Sequence, residues 1–308
     1  MTRTATRLTT AVENYLTDLQ RVRASGGGTG ERSSYGPLAN LLNAIGGVLK
    51  PRVFCVGELA DQGAGHPDFG LYAAKQVQRG KPRAGQAPEG GVVEVKPEGD
   101  DAWLTAVSAQ VSRYRDRYGL VLVTNTRDFV LVGEDADGRP VKLETFRLAA
   151  DAAEFERRLE TPRAFAREVG AGLGEYLCRA LSHRAALSEP RDLAWLLASY
   201  ARDGLARVEA AGDTPSLKAV RSALEEALGV RFEGERGARF FYSTLVQTLF
   251  YGVFSAWVLW ARQVPPPRKT FNWYEAVWHL RSPVIQALFQ QLSQPGRLRR
   301  LDLVEVLD

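Results

Sequence analysis

The chain has 308 residues, 45% hydrophobic and 25% charged, with a net charge of +4 and a pI near 9.1. That balance excludes a disordered or collagen-like chain and leaves room for two domains with a sizeable core. Lys and Arg outnumber Asp and Glu by 19 to 17 in residues 1–150 and by 21 to 19 in residues 151–308. So even a spread permits a nucleic-acid partner without arguing for one. The two cysteines, Cys55 and Cys178, lie far apart with no CxxC or Cys/His neighbour, so no zinc site is expected. Low cysteine use fits a reducing cytoplasm. MTRTATRLTTAVENYL has no apolar h-region, so no signal peptide is expected.

In chain order, residues 4–24 read as a helix with Val12, Tyr15, Leu16 and Leu19 on one face. SGGGTG (25–30) breaks it as a flexible link. Residues 31–49 resume helical spacing through Leu38, Leu41, Leu42 and Ile45, ending at Gly46–Gly47. Strands are expected at 52–59, 67–75 and 92–96, with a polar Gly/Pro loop over 79–90. One amphipathic helix is expected over 101–119, stopping at Gly119. A buried strand follows at 120–126, then a hairpin over 128–148 around DADGRP. Beyond residue 150 strand signals vanish. Helices are expected at 151–159, 162–187, 189–211, 215–228, 238–262, 272–280 and 283–293, with a break at PPP (265–267). The fold class is therefore α/β, an αβββαβ core, followed by an all-α helical domain. The expected domains are an N-terminal helix and link (1–30), an α/β domain (31–150) and a helical domain (151–308).

VVEVK (92–96) places two charges in a core strand. Side chains alternate faces along a strand, so Glu94 and Lys96 share one face while Val93 and Val95 share the other. An isolated ExK is most simply an ion pair on a solvated sheet face. Here His66-Pro67-Asp68 opens an earlier strand, and neighbouring strands can bring Asp68 and Glu94 to one point. Two carboxylates with a strand carbonyl and waters make an all-oxygen site for Mg²⁺. A lysine beside such a site orients and polarises an attacking water. Gln110 and Tyr114, spaced i and i+4, share one face of the following helix and point back toward the same place.

PD followed by ExK on the core strands of an αβββαβ unit resembles the PD-(D/E)XK nuclease superfamily, and QVSRY (110–114) resembles a Gln-x-x-x-Tyr helix motif of several of its branches. GERSSYGPLANLLNAIG, HPDFGL, GGVVEVKPEG, QVSRYRDRYGLVLVTNTRDFVLV, STLVQTLFYGVFSAWVLWAR and RLRRLDLVEVLD together resemble the N-terminal portion of single-chain restriction–modification enzymes of the type IIG or type ISP-like kind. The resemblance spans most of the chain. It implies a restriction-endonuclease-like fold and a Mg²⁺-dependent DNA endonuclease, with Mn²⁺ able to substitute, followed by a helical connector. It implies Asp68 and Glu94 as metal ligands, Glu31 as an added acidic residue near the metal, and Lys96 as the catalytic lysine. It further implies that Gln110 and Tyr114 support the site or touch the DNA backbone. The implied partners are double-stranded DNA and a DNA methyltransferase or specificity subunit, without a membrane. The chain departs from the pattern in having no Asn-Pro-Pro-aromatic element, and its GAGLG (170–174) falls in a helical pattern rather than after a strand. A truncated enzyme, a split gene or a stand-alone domain is therefore expected, without modification activity. The alternative is an inert nuclease-fold module that binds DNA or docks a partner subunit.

The remaining features favour plainer readings. His66, His183 and His279 are dispersed, so no histidine-based site is expected, and His66 reads as a turn or surface residue. Trp195, Trp257, Trp260, Trp273 and Trp278 suit base stacking, but their apolar helical setting favours core packing. GRLRRLD (296–302) reads equally as a phosphate-tracking segment or a solvated face. The glycines at 26–28 have neither the preceding strand nor the following Lys-Ser/Thr of a phosphate loop. Residues 244–262 are apolar for one bilayer crossing. Gln247, Tyr251 and Ser255 recur along one side, and a helix buried among helices is the expected arrangement.

Overall fold

The computed structural model describes the chain except residues 1, 2, 26–29, 58, 60, 62, 136, 137, 186–188, 264–270, 278, 279, 293–295, 302 and 308. The expectations for the glycine link, the PPP break, Trp278 and His279 fall outside the described residues. The chain forms two compact units, Met1–Ala186 and Leu187–Asp308.

The first unit is built on a six-stranded sheet. Its strands are β1 (Val53–Gly57), β2 (Phe69–Ala73), β5 (Val92–Val95), β6 (Val121–Thr124), β7 (Asp128–Glu134) and β8 (Pro140–Arg147), in the spatial order β1-β2-β5-β6-β7-β8. Between β2 and β5 lie β3 (Val77–Gln78) and β4 (Lys81–Pro82), a small separate hairpin where the sequence predicts only a loop. Only β5 and β6 run parallel, and the other neighbours in the large sheet are antiparallel. The parallel pair needs a crossover, supplied by α3 (Ala102–Thr105) and α4 (Ala109–Tyr118). These are two helices where the sequence predicts one. Ser108 divides them, because its hydroxyl accepts the Val111 N–H and so caps a new helix start. Gly119, at φ 77°, ends α4 in the left-handed conformation that favours glycine.

One face of the sheet packs Val92, Val121, Val123, Val130 and Val132 under Val111, Tyr114 and Tyr118 of α4. The other face is covered by α2 (Tyr35–Gly46) and α6 (Pro162–Ser182), with α1 (Arg3–Ala24) packed on both. Leu8, Val12, Tyr15, Leu16 and Leu19 of α1 are buried, each such side chain contributing roughly 1.5–3 kcal/mol. The Tyr15 hydroxyl donates to the Thr126 carbonyl at 2.8 Å. Phe129 of β7 and Phe146 of β8 meet the Tyr176 ring of α6, and Arg179 of α6 pairs with buried Glu144 of β8 at 2.9 Å. These contacts, with α5 (Ala152–Leu159) packed on α1 and α6, place 1–30 and 151–186 in the same unit as the sheet. The boundaries at 30/31 and 150/151 predicted from sequence fall inside it. A sheet apolar on both faces needs both faces covered, and local pattern does not reveal which helices do so.

The second unit is helical: α7 (Pro190–Ala211), α8 (Pro215–Leu228), α9 (Gly234–Gln263), α10 (Trp273–Ala276), α11 (Pro283–Leu292), α12 (Arg297–Arg300) and α13 (Val304–Leu307). Its core joins Val208, Leu217, Val220, Leu224, Phe241, Leu245, Leu249, Leu288 and Phe289. The architecture of the whole chain is therefore an α/β core followed by a helical region. Within α9, Gly234–Arg262 is long and apolar enough to cross a membrane, and 28% of its most apolar stretch is buried. The expectation of a helix buried among helices holds on one face only, since Phe240, Tyr251, Trp257 and Leu259 are exposed. Trp195, Trp260 and Trp273 are half-buried, whereas Trp257 is 41% exposed and stacks on Phe254.

Candidate active site

β2 and β5 pair with Phe69 opposite Val93 and Gly70 opposite Val92. One step further in that register sets Asp68 beside Glu94. The Asp68 carboxylate reaches across to β5, where Oδ2 accepts the Val95 N–H at 2.7 Å. Its Oδ1 accepts a hydrogen bond from the Tyr35 hydroxyl, at the start of α2. Tyr35 is itself held by its ring against Phe69, centroids 5.3 Å apart.

Glu94 lies on the same side of β5 as Val92, which packs under α4. The face that carries the charges is thus roofed by a helix, and Glu94 is only 3% exposed. Lys96 extends the β5–β6 pairing by one residue, its N–H donating to the Thr124 carbonyl at 2.8 Å. Its ammonium donates to Glu94 Oε1 at 2.7 Å and to Gln110 Oε1 at 3.4 Å. The Gln110 amide in turn donates to the Tyr114 hydroxyl at 3.1 Å. The i, i+4 spacing on α4 therefore does what helical geometry requires, since both side chains descend onto the end of β5.

Tyr114 is buried, and burial raises its phenol above the usual value, with Glu94 and Asp68 adding to the rise and Lys96 opposing it. All three charged groups thus act on one hydroxyl. The turn before Asp68 leans on the same ring: a Cβ at Gly65 would lie 3.5 Å from Tyr114. Asp61 holds that turn by accepting the N–H groups of Gly63 and Gly65 at 2.8 and 2.9 Å, and these bonds keep its carboxyl below the ordinary range. His66 is exposed in this turn, its Nδ1 3.4 Å from the Leu59 carbonyl. The far side of the site is pinned by Asn125, which donates to the Asp100 carbonyl at 2.8 Å, and by Asp128, which accepts from Arg127 and Arg147.

Of the residues expected from sequence, Asp68, Glu94, Lys96, Gln110 and Tyr114 come together at one end of β2, β5 and α4. Glu31 falls in the 3₁₀ turn Gly30–Ser34, and its side chain lies outside the described residues. Tyr35 is the contact that sequence reasoning missed. It sits four residues past Glu31, inside the GERSSYGPLANLLNAIG stretch, where it was given no role of its own; the packing of α2 on the sheet edge brings it to Asp68. Among the described residues, no three His, Cys, Asp or Glu side chains cluster as a metal-binding group. Asp68 and Glu94 are the two described carboxylates that the β2–β5 register sets side by side. Mg²⁺ is commonly held by one or two carboxylates, with waters and substrate phosphates completing its shell, so an Asp–Glu pair fits it. A carboxylate oxygen accepts more than one contact, so the hydrogen bonds from Tyr35 and Val95 leave Asp68 able to ligate a cation.

No family model matches the chain, and no curated protein matches it. Among solved structures, it is similar to a chain in a cryo-EM structure of a DrdV–DNA complex, at 15% identity and a TM-score of 0.38. The match covers 96% of this chain and 26% of that one, so this chain spans about a quarter of its length. A likeness at that level does not establish a shared fold.

Proposed function

We propose that this protein is a Mg²⁺-dependent DNA endonuclease that hydrolyses phosphodiester bonds in a restriction–modification or phage-defence setting. The observation that carries the reading is the convergence of Asp68, Glu94 and Lys96 at one end of two paired strands, joined by the 2.7 Å contact between Lys96 and Glu94. Asp68 and Glu94 would hold the cation, which when bound stabilises charge developing on the phosphate and lowers the pKa of water. The Val95 N–H and the Tyr35 hydroxyl fix the Asp68 carboxylate before any ligand arrives. Gln110 and Glu94 restrain the Lys96 ammonium, so that its flexible stem presents the charge at one position beside the carboxylates. An ammonium held there orients a water for in-line attack and offsets charge on the phosphate oxygens. The Tyr114 hydroxyl, by accepting from the Gln110 amide, sets the orientation of that amide.

The test is nicking of supercoiled plasmid in Mg²⁺ or Mn²⁺ by the wild type, Glu94→Ala and Lys96→Ala, with calorimetric titration of the metal alone into each. Metal-dependent nicking by the wild type, lost in both variants, is expected. Metal binding is expected to weaken in Glu94→Ala. Nicking that survives in folded Lys96→Ala, or a wild type that binds no divalent cation, sinks the reading. An inert nuclease-fold module that docks DNA would instead bind DNA without cutting it.

A further inference from the structure

The polar stretch between β2 and β5 is an ordered ribbon with its own charge pattern. β3 and β4 pair as Val77 with Pro82 and Gln78 with Lys81, so Arg79 and Gly80 form a two-residue tip. Both have positive φ, 51° and 77°, as the tight hairpin turn matched to strand twist requires. Asn or Gly takes up that conformation more readily than Arg, so turn geometry does not explain the arginine.

The ribbon is anchored from below. Gln76 is 3% exposed. Its Oε1 accepts the N–H groups of Ala73 and Glu89, at 3.1 and 3.0 Å, and its Nε2 donates to the Ala87 carbonyl at 2.7 Å. The Arg83 N–H closes the base on the Gln76 carbonyl at 2.9 Å.

The charges on this base are of nearly one sign. Residues 74–91 carry Lys75, Arg79, Lys81 and Arg83 against the single acid Glu89. Lys75 pairs with Glu89 at 2.8 Å. Among the described residues, no carboxylate forms an ion pair with Arg79, Lys81 or Arg83, and all three are exposed. The Ala74 N–H bonds the Arg52 carbonyl at 3.0 Å, bringing exposed Lys50 and Arg52 of the neighbouring segment to the same end of the sheet. A chain whose charges otherwise nearly balance thus gathers six cations around one ribbon, at the end of β2 opposite Asp68. That separation is about 17 Å, the five residues of β2 at ~3.3 Å each. It is comparable to the width of a nucleic-acid groove with its flanking phosphates.

We infer that the β3–β4 ribbon is a docking surface for the phosphate backbone of duplex DNA, with Arg79, Lys81 and Arg83 as the contacting cations and Lys50 and Arg52 beside them. The choice of DNA as the polyanion rests on the nuclease reading of the Asp68–Glu94–Lys96 site. Cations of this kind position a duplex and carry no sequence preference.

The experiment is fluorescence anisotropy of a labelled duplex in EDTA, across a salt series. It compares the wild type with the triple variant Arg79→Asn, Lys81→Gln, Arg83→Gln and with a charge-matched control, Arg157→Gln, Arg163→Gln, Arg167→Gln. Circular dichroism confirms folding, and Asn suits the positive φ at 79. The ribbon variant is expected to bind about tenfold more weakly or worse, with a salt slope shallower by roughly 0.9 for each phosphate that is no longer neutralised. The control is expected to bind like the wild type. Equal weakening in the two triples would reduce the effect to net charge and overturn the inference, as would an unchanged ribbon variant. A ribbon-dependent preference for single-stranded RNA over duplex would overturn it too. EDTA suppresses cleavage, so failure of the ribbon is read separately from failure of the Glu94 and Lys96 nicking test.

Discussion

At Lys96 a single contact decides how the site tolerates change. The ammonium neutralises a carboxylate that is almost wholly inside the sheet, with Glu94 at 4% and Lys96 at 21% side-chain exposure. Removing one partner of a fully buried pair costs about 3–5 kcal/mol. Lys96→Ala is therefore expected to cost somewhat less, roughly 2–3 kcal/mol, because the lysine keeps some solvent. Urea unfolding measures it, and a midpoint equal to the wild type would show that the pair contributes nothing. The pairing of Glu94 and Lys96 on one strand face was legible from alternation, and the helix facing it from the spacing of Gln110 and Tyr114; the depth to which α4 buries Glu94 was not. Tyr35→Phe tests the contact that sequence missed. It removes one hydrogen bond from Asp68, so divalent-metal affinity by calorimetry is expected to fall several-fold, on the scale of ~1 kcal/mol. Unchanged affinity would reduce Tyr35 to packing against Phe69.

Among the elements, α6 shows what GAGLG is for. A Cβ at Gly174 would lie 2.6 Å from Leu8 Cβ on α1, and one at Gly170 would lie 3.1 Å from the Thr9 methyl. The glycines let two long helices cross closely, a packing role consistent with their position inside a helix. Gly174→Ala gains helix propensity of about 1 kcal/mol but forces overpacking that typically costs ~1–3 kcal/mol. At 2.6 Å against a Cβ next to the backbone, the clash is expected to win and lower Tm by several degrees. Gly172→Ala meets only the edge of the Phe146 ring at 3.2 Å, a side chain able to shift, and is expected to be neutral or stabilising. Equal destabilisation in the two variants would contradict the close-crossing account. The crossover shows the other limit of reading one element at a time. Residues 101–119 carry one amphipathic pattern, yet the Ser108 hydroxyl caps a new helix start, from whose first turns Gln110 reaches Lys96 and is itself held by Tyr114.

For the molecule as a whole, the first unit is larger than the predicted 31–150 segment because both faces of its sheet are apolar. Without α1 and α6, the sheet keeps neither the Tyr15–Thr126 hydrogen bond, nor the Tyr176 ring packing, nor the buried Arg179–Glu144 pair. Residues 1–186 expressed alone are expected to melt cooperatively. Residues 31–150 alone are expected to aggregate or to give no cooperative transition by circular dichroism. A cooperative melt from 31–150 would show that the α4 face suffices.

Residue order alone carried whatever local periodicity encodes. The twofold alternation of VVEVK set which side chains share a face, the 3.6-residue spacing of Leu38, Leu41, Leu42 and Ile45 set the buried stripe of α2, and the end of strand signals past residue 150 marked the helical half. Those features depend on neighbours a few residues apart. Packing in three dimensions settled the rest: which helices cover which face, that Tyr35 reaches Asp68 across 33 residues, and that a polar loop is an anchored basic ribbon. Each of these depends on groups distant in sequence meeting in space, and a local pattern contains no term for that meeting.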